Sequence, residues 1–245
     1  MSLGYKQVQG VDYEEMHSPV ISDVGFRMIL NVCIQNDWRI VKLDVEEAFL
    51  LGKLEEETYV EIPDGFDEKG SIGKLNSAIY GLCQASRVFY KTMRDYLTKE
   101  LGFKICVSDG CILMKKGMIL GLYVDDILVT GEFDVVEKFV KEFMSKFKSR
   151  YYEEVKDFIG CELNWDLDNK SVLLHQTTMI KKLEVKMKPY LEKYNIKCNS
   201  IPMEKGTGIR KLGENEEFLD GELQSTYRSC VGSLLYITKH SRPDL

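Results

Sequence analysis

The segment Leu122-Tyr123-Val124-Asp125-Asp126-Ile127-Leu128-Val129 sets two adjacent carboxylates between two apolar runs rich in strand-forming residues. Runs of this kind pair as antiparallel strands when a short polar turn joins them. Leaving two acids in apolar surroundings without water or a partner is costly. The pair therefore belongs either in a water-exposed turn, for which aspartate is well suited, or beside a divalent cation that neutralises it.

The flanking sequence extends the hairpin into a sheet. Residues 111–114 and 118–124 are apolar and separated by Lys115-Lys116-Gly117, and residues 127–130 follow the acidic pair, which predicts consecutive antiparallel strands. Residues 38–45 are also rich in β-formers and carry Asp44 near their end, shortly before the chain reaches Gly52. Ser22 is placed to cap a helix running to about Asp37, with Val24, Met28, Ile29, Val32 and Cys33 on one apolar stripe. Residues 54–75 read as irregular, with turns at Pro63, Asp64, Gly65, Gly70 and Gly73 around short strands such as 58–62. Val88, Phe89, Thr92, Met93, Tyr96 and Leu97 recur at helical spacing before a stop at Gly102. Phe133, Val136, Phe139, Val140, Phe143, Met144 and Phe147 give the cleanest helical period in the chain and predict a core-facing helix. A hairpin over 158–175 turning at Asp168-Asn169, a helix over 178–194, a linker over 198–220 and a last helix over 221–240 complete the reading.

A chain of 245 residues with 44% hydrophobic and 29% charged residues can form one large domain or two modest ones. No uninterrupted apolar run approaches the roughly 18–20 residues of a membrane span, and the first residues lack a secretory apolar stretch. The expected setting is intracellular, without a membrane partner. The seven cysteines are scattered and include no C-x-x-C pair, so they read as buried reduced thiols. A net charge of −6 counts against nucleic-acid binding without excluding it. Two basic clusters, Lys138 to Arg150 and Lys181 to Lys188, read either as solvated helix faces or as phosphate contacts.

Asp44 ends an apolar strand much as the acidic pair begins one. Three carboxylates on neighbouring strand ends suit Mg²⁺, which prefers oxygen ligands and commonly takes one or two carboxylates plus substrate phosphate oxygens. Two such ions roughly 3.5–4 Å apart can serve both the attacking and the leaving oxygen of an in-line displacement.

Six blocks in order resemble the reverse transcriptase of copia-type (Ty1/copia) long-terminal-repeat retrotransposons. They are Gly4-Tyr5-Lys6-Gln7 with Gly10-Val11-Asp12-Tyr13; Leu43-Asp44-Val45 with Ala48-Phe49-Leu50 and Gly52; Ile79-Tyr80-Gly81-Leu82 with Gln84-Ala85; Tyr123-Val124-Asp125-Asp126; Phe158-Ile159-Gly160-Cys161-Glu162-Leu163; and Tyr227-Arg228-Ser229 with Val231-Gly232-Ser233-Leu234 and Arg242-Pro243-Asp244. The resemblance implies an α+β polymerase palm, with an antiparallel sheet, packed helices, partial fingers and a small helical thumb. It divides the chain into a palm over 1–175, with a fingers insertion at about 53–84, and a thumb or connection-like segment over 176–245.

The same resemblance implies RNA-directed DNA polymerase chemistry: deoxynucleotides are added to a primer 3′-hydroxyl on an RNA or DNA template. Asp44, Asp125 and Asp126 become the catalytic and metal-holding acids for two Mg²⁺ ions, with Mn²⁺ as a substitute. Phe49 lies under the incoming sugar and disfavours a 2′-hydroxyl. Gly81, Gln84, Arg87 and Tyr123 contribute to the nucleotide and template site. Gly160 and Cys161 grip the primer end by their backbone, and Lys181 and Lys182 follow the duplex through its phosphates.

Some positions depart from the family pattern. Cys83 stands where Lys is usual, Ser86 where Pro is, Glu46 where a basic residue is, and Glu47 where a neutral polar one is. The added acids are expected to repel a triphosphate unless they point away from it. The resemblance further implies a fingers segment before Gly4 and a ribonuclease H domain after Asp244, supplied by other Pol segments or a homodimer, in a cytoplasmic virus-like particle or the nucleus. Two other readings stay open: a degenerate retroelement-derived module that binds nucleic acid or protein without catalysis, and a palm-like nucleotide cyclase.

Overall fold

A computed structural model describes residues 4–62, 65, 70–195 and 220–244. Within these the chain is of the α+β class and divides into two compact units, Met1–Val155 with Asp166–Val172, and Lys156–Trp165 with Leu173–Leu245.

The first unit is built on a six-stranded sheet. After helix α1 (Asp23–Gln35) comes β1 (Arg39–Val45), then a small two-stranded excursion, β2 (Tyr59–Glu61) against β3 (Ile72–Lys74). Helix α2 (Ala85–Asp95) runs on through a π turn before β4 (Lys104–Ile105), β5 (Ile112–Lys115), β6 (Met118–Tyr123) and β7 (Asp126–Gly131). Helix α3 (Phe133–Lys146) and β8 (Ser149–Tyr152) follow. The strand order is β4-β5-β6-β7-β1-β8, antiparallel at each pairing. Placing β1 between β7 and β8 carries Asp44 into the sheet interior, beside a hairpin some eighty residues further along the chain.

Alternation explains the burial. Val41, Leu43 and Val45 occupy one face of β1 and are 0–2% exposed, whereas Lys42 and Asp44 take the other face and stay half-buried. β7 contributes Ile127, Leu128 and Val129 to the core, and α3 packs on it through its Val136, Phe139, Val140 and Phe143 stripe. Rings of Tyr96, Phe139, Phe143 and Phe147 meet with centroids 4.9–6.2 Å apart.

Helix α1 begins as expected, with the Ser22 hydroxyl accepting from the Gly25 N–H at 3.0 Å, but its buried stripe differs from the expectation. Phe26, Ile29, Leu30 and Cys33 are buried, while Val24 and Met28 are 71% and 58% exposed. The helix is apolar over so much of its circumference that the period fits two adjacent stripes, and contact with β6 and β7 selects the tighter i, i+3, i+4, i+7 set.

The second unit has β9 (Asp157–Phe158) antiparallel to β10 (Cys161–Asp166), with β11 (Ser171–His175) on the other side of β10, then α4 (Thr177–Lys193) and α5 (Gly221–His240). The predicted linker lies outside the described residues except for Asp220, whose carboxylate accepts from the Leu223 N–H at 2.8 Å and caps α5. Six cysteines among the described residues are free thiols. No helix among the described residues is long and apolar enough to cross a membrane.

Candidate active site

Residues far apart in sequence meet where β1 leaves the sheet. Asp44 stands directly opposite Asp126 in the β1–β7 register and directly opposite Arg150 in the β1–β8 register. Residues opposed in this way share a face of the sheet. Asp125 forms the β6–β7 turn with Val124, and its carbonyl accepts from the Val45 N–H at 3.0 Å. Asp44, Asp125 and Asp126 are all half-buried.

Like charges directly opposed on neighbouring strands destabilise a sheet unless something compensates them. Arg150 compensates in part: its guanidinium is held above its usual pKa range by its bond to Tyr152 and by the charges of Asp44 and Glu46. Among the described residues no group of three or more His, Cys, Asp and Glu side chains stands close enough together to hold a metal ion unaided. The donors are nevertheless all oxygens at one sheet end, the chemistry of a hard cation that completes its shell with water and phosphate.

The turn itself is unusual. Val124 has φ of 54°, where a β-branched side chain is rarely found. A β-branched residue held there marks a place where surrounding structure imposes the backbone, and such outliers cluster at functional sites.

Near the carboxylates lies an aromatic pair. Phe49 follows β1 in a short 3₁₀ turn (Ala48–Leu51), and its ring centroid is 4.6 Å from that of Tyr80 and 6.5 Å from that of Phe89. Partial burial raises the Tyr80 phenol above its usual range, and the charges of Asp125, Glu47 and Asp44 raise it further. The Tyr80 hydroxyl thus lies in the field of the same acids.

The two acids that follow Val45, Glu46 and Glu47, behave differently. Glu46 pairs with Lys148, just before β8, whose Nζ is 2.7 Å from its carboxylate, and with Arg150 of β8, whose Nε is 3.5 Å away. The bond to Lys148 holds the Glu46 carboxyl below its usual range, with Arg150 adding to the effect. Glu47 has left-handed backbone, is exposed and contributes its charge at Tyr80.

Residues 1–205 match the reverse transcriptase (RNA-dependent DNA polymerase) family. The chain belongs to that family. It is 31% identical over 99% of its length to the retrovirus-related Pol polyprotein from transposon TNT 1-94 of Nicotiana tabacum. It is 33% identical over its whole length to the Pol polyprotein from transposon RE1 of Arabidopsis thaliana, and 22% identical over 84% to the transposon Ty1-DR1 Gag-Pol polyprotein of Saccharomyces cerevisiae. The copia-type resemblance expected from the six blocks is thereby borne out. The chain spans 19%, 16% and 12% of those polyproteins.

The remaining expected site residues of this reverse transcriptase domain lie as follows. Gly81 has φ of 100°, a conformation that favours glycine, in the turn before α2. Gln84 is 1% exposed, and its amide donates to the Asp12 carbonyl at 3.4 Å and accepts from Gln7 at 3.1 Å. Its side chain is committed to holding the Gly4-to-Gln7 block against the Tyr80-to-Gln84 block, where Cys83 N–H also donates to Gln7 at 2.8 Å. Arg87 donates to the His17 carbonyl at 3.1 Å and pairs with Glu15. Tyr123 faces Asp126 across the hairpin and is half-buried. In the second unit, Gly160 lies in the turn before β10, Cys161 opens that strand, and Lys181 and Lys182 are exposed on α4.

Two residues near the acids were missed by sequence reasoning. Tyr80 lies inside a block that carried the resemblance, so the signal was present. Arg150 had only a run of basic residues to mark it, and its place depends on β1–β8 pairing that no local pattern encodes.

Proposed function

We propose that this chain is the RNA-directed DNA polymerase core of a copia-type retrotransposon Pol polyprotein. In this reading residues 1–175 serve as palm with partial fingers, and residues 176–245 serve as a thumb or connection-like segment. The observation that supports this best is the alignment of Asp44 opposite Asp126, with Asp125 bonded through its carbonyl to Val45. Three acids from two distant segments lie at one sheet end, near a tilted Phe49–Tyr80 ring pair.

In this reading Asp44, Asp125 and Asp126 hold two Mg²⁺ ions, or Mn²⁺ in their place, which when bound offset phosphate charge and increase the acidity of the primer hydroxyl. Phe49, braced by Tyr80, forms the wall beneath the incoming sugar and excludes a 2′-hydroxyl. Gly81 lets the backbone come close to the new base pair. Gln84 and Arg87 act by fixing the walls of the site, since their side chains are engaged with Gln7, Asp12, Glu15 and His17. Gly160 and Cys161 take the primer end through main chain, and Lys181 and Lys182 meet duplex phosphates. The partners are a primed RNA or DNA template, deoxynucleoside triphosphates and other Pol segments or a second copy, inside the cell. Neutralisation of Glu46 by Lys148 and Arg150 removes one of the two charges that would repel a triphosphate.

A second reading, a module that binds nucleic acid without extending it, is favoured by the exposed Glu47 beside the acids. Primer extension on an RNA template with Mg²⁺ separates the two. The polymerase reading expects extension by the chain and a loss of at least about 100-fold in Asp125→Asn, as for removal of a group acting on transition-state charge. Tight binding of primed template with no extension favours the module instead.

A further inference from the structure

In the second unit the turn between β9 and β10 has two consecutive left-handed residues, Ile159 with φ of 50° and Gly160 with φ of 65°. A β-branched residue rarely adopts that conformation unless neighbouring structure imposes it. Here the neighbours are identifiable. The Tyr236 hydroxyl donates to the Ile159 carbonyl at 3.0 Å, and the Gln176 amide donates to the next carbonyl, that of Gly160, at 3.4 Å. Gln176 is 1% exposed, and its own carbonyl accepts from the Ser241 hydroxyl at 2.8 Å.

Both donors are tied to the last described helix. Tyr236 lies on α5 and its ring packs on buried His240 with centroids 4.2 Å apart, while Ser241 caps the end of α5. The fit around the turn is close. A Cβ on Gly160 would lie 2.6 Å from the Tyr236 hydroxyl oxygen and 3.2 Å from its ring. Two successive carbonyls of one strained turn are thus fixed by side chains that stand 77 and 16 residues further along the chain.

We propose that Tyr236, supported by Gln176 and Ser241, is a positioning residue that sets the backbone of the 158–161 turn, so that α5 governs how this chain holds the end of a primer. The functional half of this inference rests on the polymerase reading above; the structural half does not. Gly160 and Cys161 act through main chain, so a device acting on that main chain alters primer handling without touching nucleotide.

The test uses the full chain with Tyr236→Phe, Gly160→Ala and the double variant. Tyr236→Phe removes one hydroxyl and keeps the ring against His240. Hydrogen–deuterium exchange of the peptide covering residues 157–162 should quicken about fivefold, the effect of one typical net hydrogen bond. KM for primed RNA template should rise by a similar factor, with KM for deoxynucleotide unchanged. Gly160→Ala should quicken exchange more strongly, and its effect should be smaller in the Tyr236→Phe background, where the oxygen it meets is gone. Unchanged exchange in Tyr236→Phe, or strictly additive effects in the double variant, overturns the clamp whether or not the chain extends primers. Quickened exchange with an equal rise in both KM values overturns its role in primer handling. Failure of the unaltered chain to extend any primer removes the polymerase reading, and that functional role with it, while the exchange data still decide the clamp.

Discussion

Tyr80 carries two burdens at once: its ring supports Phe49, and its hydroxyl lies in the field of Asp125, Glu47 and Asp44. Tyr80→Phe keeps the ring and should leave the melting temperature nearly unchanged. Tyr80→Ala removes a ring pair worth about 1 kcal/mol beyond its buried area and frees Phe49 to move. The expected result is a lower ratio of deoxynucleotide to ribonucleotide incorporation in the alanine variant only; an unchanged ratio would show that Phe49 needs no brace. Cys111 supports a prediction on pH. Burial first, and Asp109 next, push its thiol up to about 12. The unfolded thiol loses its proton near pH 8.5, so the unfolded chain binds fewer protons than the folded one between there and about 12, and stability falls as pH rises through that window. Below it the thiol contributes no slope. Denaturant midpoints from pH 7 to 11 should show this decline at Cys111 and lose part of it in Cys111→Ala. Iodoacetamide at pH 8 should label Cys111 only after unfolding, which mass spectrometry reads directly.

The β6–β7 hairpin carries the one β-branched residue with positive φ among the described residues of the first unit. Val124 at φ of 54° would be relieved by glycine, which takes this backbone without steric cost. Val124→Gly is expected to change stability by no more than about 1 kcal/mol in either direction, because relief of strain is offset by the greater entropy of the unfolded chain. Extension should nevertheless fall several-fold, since the turn that carries Asp125 becomes looser; a faster enzyme would contradict a role for this imposed backbone. Most elements were legible in the sequence because their patterns are local. The last helix was placed at 221–240, as found, and the strands on either side of the acidic pair were placed within one or two residues. The buried stripe of α1 was not legible, because contact with β6 and β7 chooses between two faces that periodicity ranks alike. The same limit hid Arg150 and the fate of Glu46, both of which follow from which strand lies next to β1.

At the scale of the whole molecule, a net charge of −6 says little about the surface that matters. Asp44 stands opposite Asp126 at the sheet end where Asp125 turns the hairpin, and Arg150 of β8 stands on the other side of Asp44, so the chain is locally bipolar where its total is simply acidic. The candidate site was legible as a set of residues because each sits in a short block. Its assembly required the sheet order, which inserts β1 between a hairpin and a strand that come much later. The proposed chemistry therefore depends on Asp44 acting together with acids from a distant segment. Mg²⁺-dependent extension of a primed RNA template by Asp44→Asn, beside the unaltered chain, tests this most directly. A loss of at least about 100-fold is predicted, with a melting temperature within a few degrees of the original, because the change removes one charge and keeps the side-chain shape. Extension at the original rate would contradict it.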